Sequence, residues 1–281
     1  MLVAMFPAPP APVFSPDRSA LSEHGMRYED LTQDGRLMPL AIPSTMSGLW
    51  RSVLVKHAGA RNAASSGVIP LLTRLTITSH DAPIRLNKGL EVRSGFELAR
   101  GPDRLYMNVW CALRGQGMKT GEPVDCGAIF AEHTFTRPFA PRDQRKVTSL
   151  DVEGYPRIPE VEYLALPPAT AAEPPDGGTW RDALAPDGQE ACFTLDQTDA
   201  NQHVNSLVYI RVFLDAAQRR LPDLRVRSRA IDIAYRKPSF AGDRVRSHVR
   251  LFDHQGLVGA AGHIAGSDGK PRCYVRAIFG P

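Results

Sequence analysis

The stretch from His203 to Leu221 carries Val204, Leu207, Val208, Ile210, Phe213, Leu214 and Ala217, so apolar side chains cover well over half the circumference of the helix it encodes. A helix apolar nearly all round is buried, not laid on a surface. The residues after it run in alternating, β-rich segments such as Asp243-Arg244-Val245-Arg246-Ser247, and that period belongs to strands. One buried helix followed by several antiparallel strands implies a sheet wrapped around the helix.

The same order occurs earlier in the chain, and internal similarity of this kind points to a repeated architecture. An aromatic-containing strand opens each half, Met26-Arg27-Tyr28-Glu29 in the first and Cys192-Phe193-Thr194-Leu195 in the second. A loop holding an aspartate follows, and then an apolar helix. In the first half that helix is expected to start near Ser44, an N-cap just after Pro43, and to run through Met46, Leu49, Trp50, Val53 and Leu54;. Beyond it, Leu90-Glu91-Val92-Arg93-Ser94 shares Val-Arg-Ser with the second half. The halves close on Thr134-Phe135-Thr136-Arg137-Pro138 and Ala277-Ile278-Phe279-Gly280-Pro281. Two such units make an α+β double layer in one chain.

The expected organisation is a flexible arm over 1–25, a first domain over 26–138, a linker over 139–190 and a second domain over 191–281. The arm is rich in Pro, Ala and Ser and has no periodic apolar face to set against ordering entropy. The linker contains Leu166-Pro167-Pro168-Ala169 and Glu173-Pro174-Pro175-Asp176-Gly177-Gly178, turn chemistry foreign to a helix or a central strand.

With 43% hydrophobic and 23% charged residues in 281, disordered and collagen-like classes are excluded;. No stretch approaches the roughly 18 to 20 apolar residues of a membrane helix. The opening segment lacks a basic n-region and is broken by prolines, which points to a cytoplasmic protein. Cys111, Cys126, Cys192 and Cys273 form no C-x-x-C pair and are expected to be reduced, buried and apolar in character. His24, His57, His80, His248, His254 and His263 show no metal-ligand spacing, so neither metal nor organic cofactor is expected.

Charge is unevenly placed. From Ala191 to Pro281 there are 14 Lys and Arg against 8 Asp and no Glu, a net +6, whereas the remainder carries −2. A basic half attracts anions: an acidic carrier protein, the phosphates of coenzyme A, or nucleic acid. The absence of an aromatic-rich basic motif or zinc-finger spacing argues against nucleic acid.

The stretch from Leu195 to Tyr209 is dense in functional groups: Asp199, Asn201, His203 and Asn205 stand at alternate positions. Attack on an activated carbonyl needs an oriented nucleophile, a proton acceptor and donors for the developing oxyanion. Asp199 could hold a water or orient the Asn201 amide, and His203 could exchange the proton. The plainer alternative is that Asp199 and Asn201 form Asx turns while Asn205 and His203 satisfy nearby backbone groups. Tyr209 reads either as a core residue with a satisfied hydroxyl or, with Val208 and Phe213, as the lining of an apolar slot.

The pattern D-x-N-x-H-V-N, followed four residues later by Tyr, resembles the fatty acyl-ACP thioesterases of plants and bacteria. The motif match covers about 20 residues, and the layout extends it from Met26 onward. This resemblance implies a double hot-dog fold, two fused domains each with a sheet around a long helix, with the catalytic motif in the second. It places the catalytic residues at Asp199, Asn201 and His203, beside which Asn205, Val208, Tyr209 and Phe213 are read as candidate substrate contacts. It implies hydrolysis of an acyl-ACP or acyl-CoA thioester to free acid and thiol, with acyl carrier protein or coenzyme A thioester as partner and a pseudo-dimer within one chain.

The family's further glutamate falls in Tyr235-Arg236-Lys237-Pro238-Ser239, where this chain has Pro238, and no glutamate follows Glu190. In the first half, Asp34-Gly35-Arg36-Leu37 lacks both the Asn and the His, so that site is read as lost and Asp34 as part of a solvated turn. Glu132 and His133 are read as ordinary strand surface, the alternative being part of a pocket that paired hot-dog domains build across their shared interface. Three rival functions stay open. A hot-dog acyltransferase would use the same pocket. A dehydratase pattern, D-x-x-x-H, fits Asp199 and His203 but lacks its first-half partner H-x-x-x-G-x-x-x-x-P. A non-catalytic acyl-binding module would keep the slot without turnover. The acyl chain's length and any further pairing of the pseudo-dimer are left open by the sequence.

Overall fold

The computed structural model describes residues 5–154, 161–221 and 226–280. The chain divides into two compact units: Ala8–Ala165, and Leu166–Pro281 together with Met1–Pro7.

In the first unit, strands β1 (Ser19–His24), β2 (Ile69–Ser79), β3 (Leu90–Arg100), β4 (Leu105–Gln116) and β5 (Pro123–Thr136) form an antiparallel sheet in the order β1-β3-β4-β5-β2. A two-residue β6 (Val161–Glu162) pairs parallel with β3. Ile77, Val92, Phe96 and Val109 are completely buried.

The expected single helix from Ser44 is instead broken into pieces. A 3-10 segment, Pro39–Met46, leads into a single α-turn, α1 (Ser47–Leu49), then a π-turn, Trp50–Leu54, and after an extended His57 a separate helix α2 (Ala58–Ser65). Two prolines lack the donors for an α ladder. Ser44 bonds back to the Ala41 carbonyl at 2.7 Å instead of capping, and Ser52 does the same to Gly48 at 2.6 Å. The Val55 amide then reaches the Trp50 carbonyl at 2.9 Å, a widened i to i+5 bond;. Trp50, Leu54, Ala63, Val68, Met107 and Phe135 line an apolar cavity of about 370 Å³ inside this unit.

The second unit repeats the topology. Its strands are β7 (Thr179–Trp180), β8 (Ala185–Cys192), β9 (Arg227–Tyr235), β10 (Arg244–His254), β11 (Leu257–Gly266) and β12 (Pro271–Gly280), with helix α3 (Ser206–Gln218) between β8 and β9. Pairing runs β8-β10-β11-β12-β9, and β7 adds to the far end of β10. In both units, therefore, the strand before the helical segment pairs with the second strand after it, and the first strand after it pairs with the last. Val92-Arg93-Ser94 and Val245-Arg246-Ser247 lie on equivalent strands, each with Val and Ser buried and Arg exposed. The shared tripeptide thus marks equivalent places in the two sheets.

Several boundaries move. Met26–Glu29 is not a strand; a 3-10 turn occupies Tyr28–Asp30, and the pairing strand is β1, inside the stretch read as an arm. Phe6, also in that stretch, is buried with Ala230, Phe252, Ala261 and Ile278, its ring 4.7 Å from the Arg276 guanidinium. Arg276 pairs with the fully buried Asp232 at 2.9 Å. The segment 139–190 holds β6, β7 and most of β8, because Pro186 is tolerated where a strand lies at an edge;. Its residues 155–160 lie outside the described residues. Glu132 and His133 are both buried, which corrects their reading as strand surface: side chains on both faces of β5 are covered. Glu132 accepts hydrogen bonds from Thr73 and Tyr163, each at 2.7 Å. Cys111, Cys126 and Cys273 are buried as expected, but Cys192, the last residue of β8, is exposed.

Candidate active site

The motif lies on a tight loop leading into α3. Thr198 and Val204 form an isolated antiparallel bridge. Within it the Asp199 amide donates to the His203 carbonyl at 2.8 Å, and the Gln202 amide to the Asp199 carbonyl at 2.9 Å. Gln202 takes a left-handed φ of 63°, the conformation that turns the chain back on itself. An Asp199 carboxylate oxygen accepts the Asn201 backbone N–H at 2.8 Å, forming an Asx turn;.

α3 consequently starts later than its apolar pattern suggests. Its N-cap is Asn205, whose Oδ1 accepts the Leu207 amide at 2.9 Å, and His203 lies in the loop before it. Such a cap contributes about 1 kcal/mol. The apolar face of α3 still packs inward: Tyr209, Ile210, Phe213, Ala216 and Ala217 are buried, and Val208 is half-buried.

The first unit carries the same loop without the chemistry. Leu31 and Leu37 bridge over the same span as Thr198 and Val204. Thr32 donates to the Arg36 carbonyl at 2.9 Å and Gly35 to the Thr32 carbonyl at 2.9 Å, with Gly35 at a φ of 79°. By this register Thr32, Asp34 and Arg36 occupy the places of Asp199, Asn201 and His203. Asp34 is exposed and paired with Arg36.

A second segment, the chain leaving β9, abuts the motif. Ser239 is completely buried. Its carbonyl accepts the Val204 amide at 2.9 Å, and its amide donates to the Tyr209 hydroxyl at 2.8 Å. Tyr235 donates to the Ser206 carbonyl at 3.1 Å. Phe240 then sets its ring edge-to-face with the His203 imidazole, centroids 5.2 Å apart at 77°. Burial raises the pKa of both Tyr209 and Tyr235, the latter well above the ordinary tyrosine value, so each hydroxyl keeps its proton.

The loop thus brings Asp199, Asn201 and His203 together. Asp199 and Asn201 are exposed, His203 is half-buried, and among the described residues no hydrogen bond joins the three side chains. Tyr209 and Phe213 are buried at 3% and 0% exposure, Tyr209 packing against Phe193 at 5.4 Å. Phe240 was not singled out from sequence; nothing in its local pattern marks it, since the contact depends on how the segment after β9 meets the motif loop. Among the described residues no group of three or more His, Cys, Asp and Glu could hold a metal ion, and no helix is long and apolar enough to cross a membrane.

Residues 194–280 match the acyl-ACP thioesterase C-terminal domain. That span runs from the start of the motif loop through α3 to the end of β12. No curated protein matches the chain. Among solved structures, an acyl-ACP thioesterase from Bacteroides thetaiotaomicron superposes with a TM-score of 0.64 at 16% identity, covering 93% of this chain and 98% of the other. The 12:0-ACP thioesterase from Umbellularia californica gives 0.62 at 14%, covering 94% and 97%. A MaoC-like dehydratase gives 0.51 at 11%, covering 94% and 97%. At such identities the likeness is one of fold, and the architecture is the α+β double hot-dog expected from the sequence.

Proposed function

We propose that this chain is a thioesterase that hydrolyses acyl thioesters, with Asp199, Asn201 and His203 as its catalytic residues. The observation that carries this reading is the loop itself: a left-handed turn at Gln202 sits among an exposed carboxylate, an exposed amide and a half-buried imidazole within five residues of the domain matched to acyl-ACP thioesterases.

In this reading, a water held by Asp199 adds to the thioester carbonyl. His203 accepts the water's proton, and the Asn201 amide donates to the oxygen that gains charge. The C–S bond then breaks, the thiolate leaves and takes up a proton, and the free acid remains. A thiolate is a good leaving group, so this site manages without the glutamate whose place Pro238 takes. The motif's exposure to solvent suits a bulky substrate such as an acyl group on a carrier. Exposed Arg236 and Lys237, close in sequence to Ser239, suit an acidic carrier protein or the phosphates of coenzyme A;. Val208 and Asn205 are the motif's half-buried candidates for substrate contact.

The test is release of free thiol and free acid from a panel of acyl-ACP and acyl-CoA substrates, comparing wild type with Asp199→Ala and His203→Ala. Loss of a general acid-base group costs about 10²–10⁴ in rate, so each variant should lose at least about 100-fold while remaining folded. Undiminished turnover in either folded variant overturns the assignment. Thiol release that requires an added alcohol or amine, with no free acid, would identify an acyltransferase instead.

A further inference from the structure

We infer that Phe240 is a positioning residue for His203, taking up by ring packing the orienting task that a carboxylate bond to an imidazole ordinarily performs. The inference rests on the thioesterase reading above and concerns a residue outside the motif. An imidazole that must accept a proton from water and surrender it to a thiolate has to keep one orientation, and misplacement by about 1 Å can cost 10²-fold. Histidines in such sites are commonly held through the second ring nitrogen by a carboxylate or carbonyl. Among the described residues His203 makes no side-chain hydrogen bond, and its aromatic contact is the edge-to-face packing with Phe240.

Phe240 is well suited to this because both its backbone groups are bonded to Asp243 although the residue is 49% exposed. Its amide donates to the Asp243 carboxylate at 2.9 Å, and its carbonyl accepts the Asp243 amide at 3.1 Å. The preceding Ser239 is buried and tied to Val204 and Tyr209 as described. Val204 directly follows His203, so the hydrogen bond at 2.9 Å that joins Val204 to Ser239 links the backbones next to the two packed rings. An aromatic edge-to-face pair contributes about 0.5–1.5 kcal/mol, enough to favour one ring orientation several-fold.

The experiment compares wild type, Phe240→Leu and Phe240→Tyr by steady-state kinetics and by NMR relaxation of the ¹³C-labelled His203 ring, assigned with His203→Ala. Leucine keeps the bulk and loses the ring, whereas tyrosine restores it. We expect Phe240→Leu to lower kcat by roughly 2- to 10-fold, the population factor that about 0.5–1.5 kcal/mol represents, with KM little changed, and the His203 ring to become mobile. Phe240→Tyr should keep both the rate and the ordered ring. An unchanged kcat in Phe240→Leu, or a ring equally ordered in all three proteins, overturns the inference. If wild type hydrolyses no thioester, the functional reading fails by itself, and the relaxation data still decide whether Phe240 orders His203.

Discussion

Replacing Tyr209 with phenylalanine separates the two roles the sequence leaves open for this residue. Its hydroxyl is the acceptor for the Ser239 amide at 2.8 Å, and both residues are buried, at 3% and 0% exposure. Removing one oxygen leaves the ring contacts with Phe193 and Tyr235 in place, so no large cavity forms. What remains is a buried N–H without its partner, a loss of about 1–3 kcal/mol. At about 3 °C per kcal/mol for a chain of this size, the melting temperature should fall by roughly 3–9 °C. Local opening around Ser239 becomes easier by the same energy, so its amide should exchange with solvent about 5- to 150-fold faster. Urea denaturation, calorimetry and hydrogen exchange resolved at Ser239 measure these quantities. Because the same bond holds the segment carrying Phe240, a lower kcat should accompany the destabilisation, with KM little altered. If Tyr209 instead lines the acyl slot, KM should change while stability and exchange stay at wild-type values. That outcome refutes the reasoning.

Two further predictions concern the buried titratable groups. Burial depresses the His133 pKa from 6.5 to about 4, so the folded protein excludes a proton that the unfolded chain binds below about pH 6.5. Stability should be unaffected by this group above that pH and fall progressively towards pH 4, by about 3 kcal/mol at most. The difference in unfolding free energy between wild type and His133→Gln, measured from pH 7.5 to 4, should show this slope, and a flat difference disproves it. Among the cysteines, burial pushes the thiols of Cys111 and Cys126 up to about 12, and Cys192 is the exposed one. A thiol-reactive disulfide reagent should therefore label one thiol in the native protein and none in Cys192→Ser, the others reacting only on unfolding; more than one native equivalent contradicts this.

By itself the sequence determined the features that rest on local pattern. The apolar helix had to pack against the sheet, although Leu207, Val208 and Leu214 stay only half-buried and it is not buried all round as its pattern reads, and the alternating runs had to be strands. The Val-Arg-Ser echo marked equivalent strands, and the spacing of Asp199, Asn201 and His203 marked the loop. These are legible because side-chain period and turn chemistry act between residues close in the chain. Tertiary structure decided the rest. Prolines and back-bonding serines broke the first helix into 3-10, α and π pieces where the apolar pattern read as one. Phe6 and β1, in a segment poor in periodicity, are ordered by burial and by pairing with β3. Glu132 and His133 are covered on both faces of β5, which strand alternation could not foresee. The contact of Phe240 with His203 spans 37 positions in sequence and exists because Ser239 bonds to Val204 and Tyr209. Contacts of that separation arise from the packing of whole elements, and no local period in the chain records them.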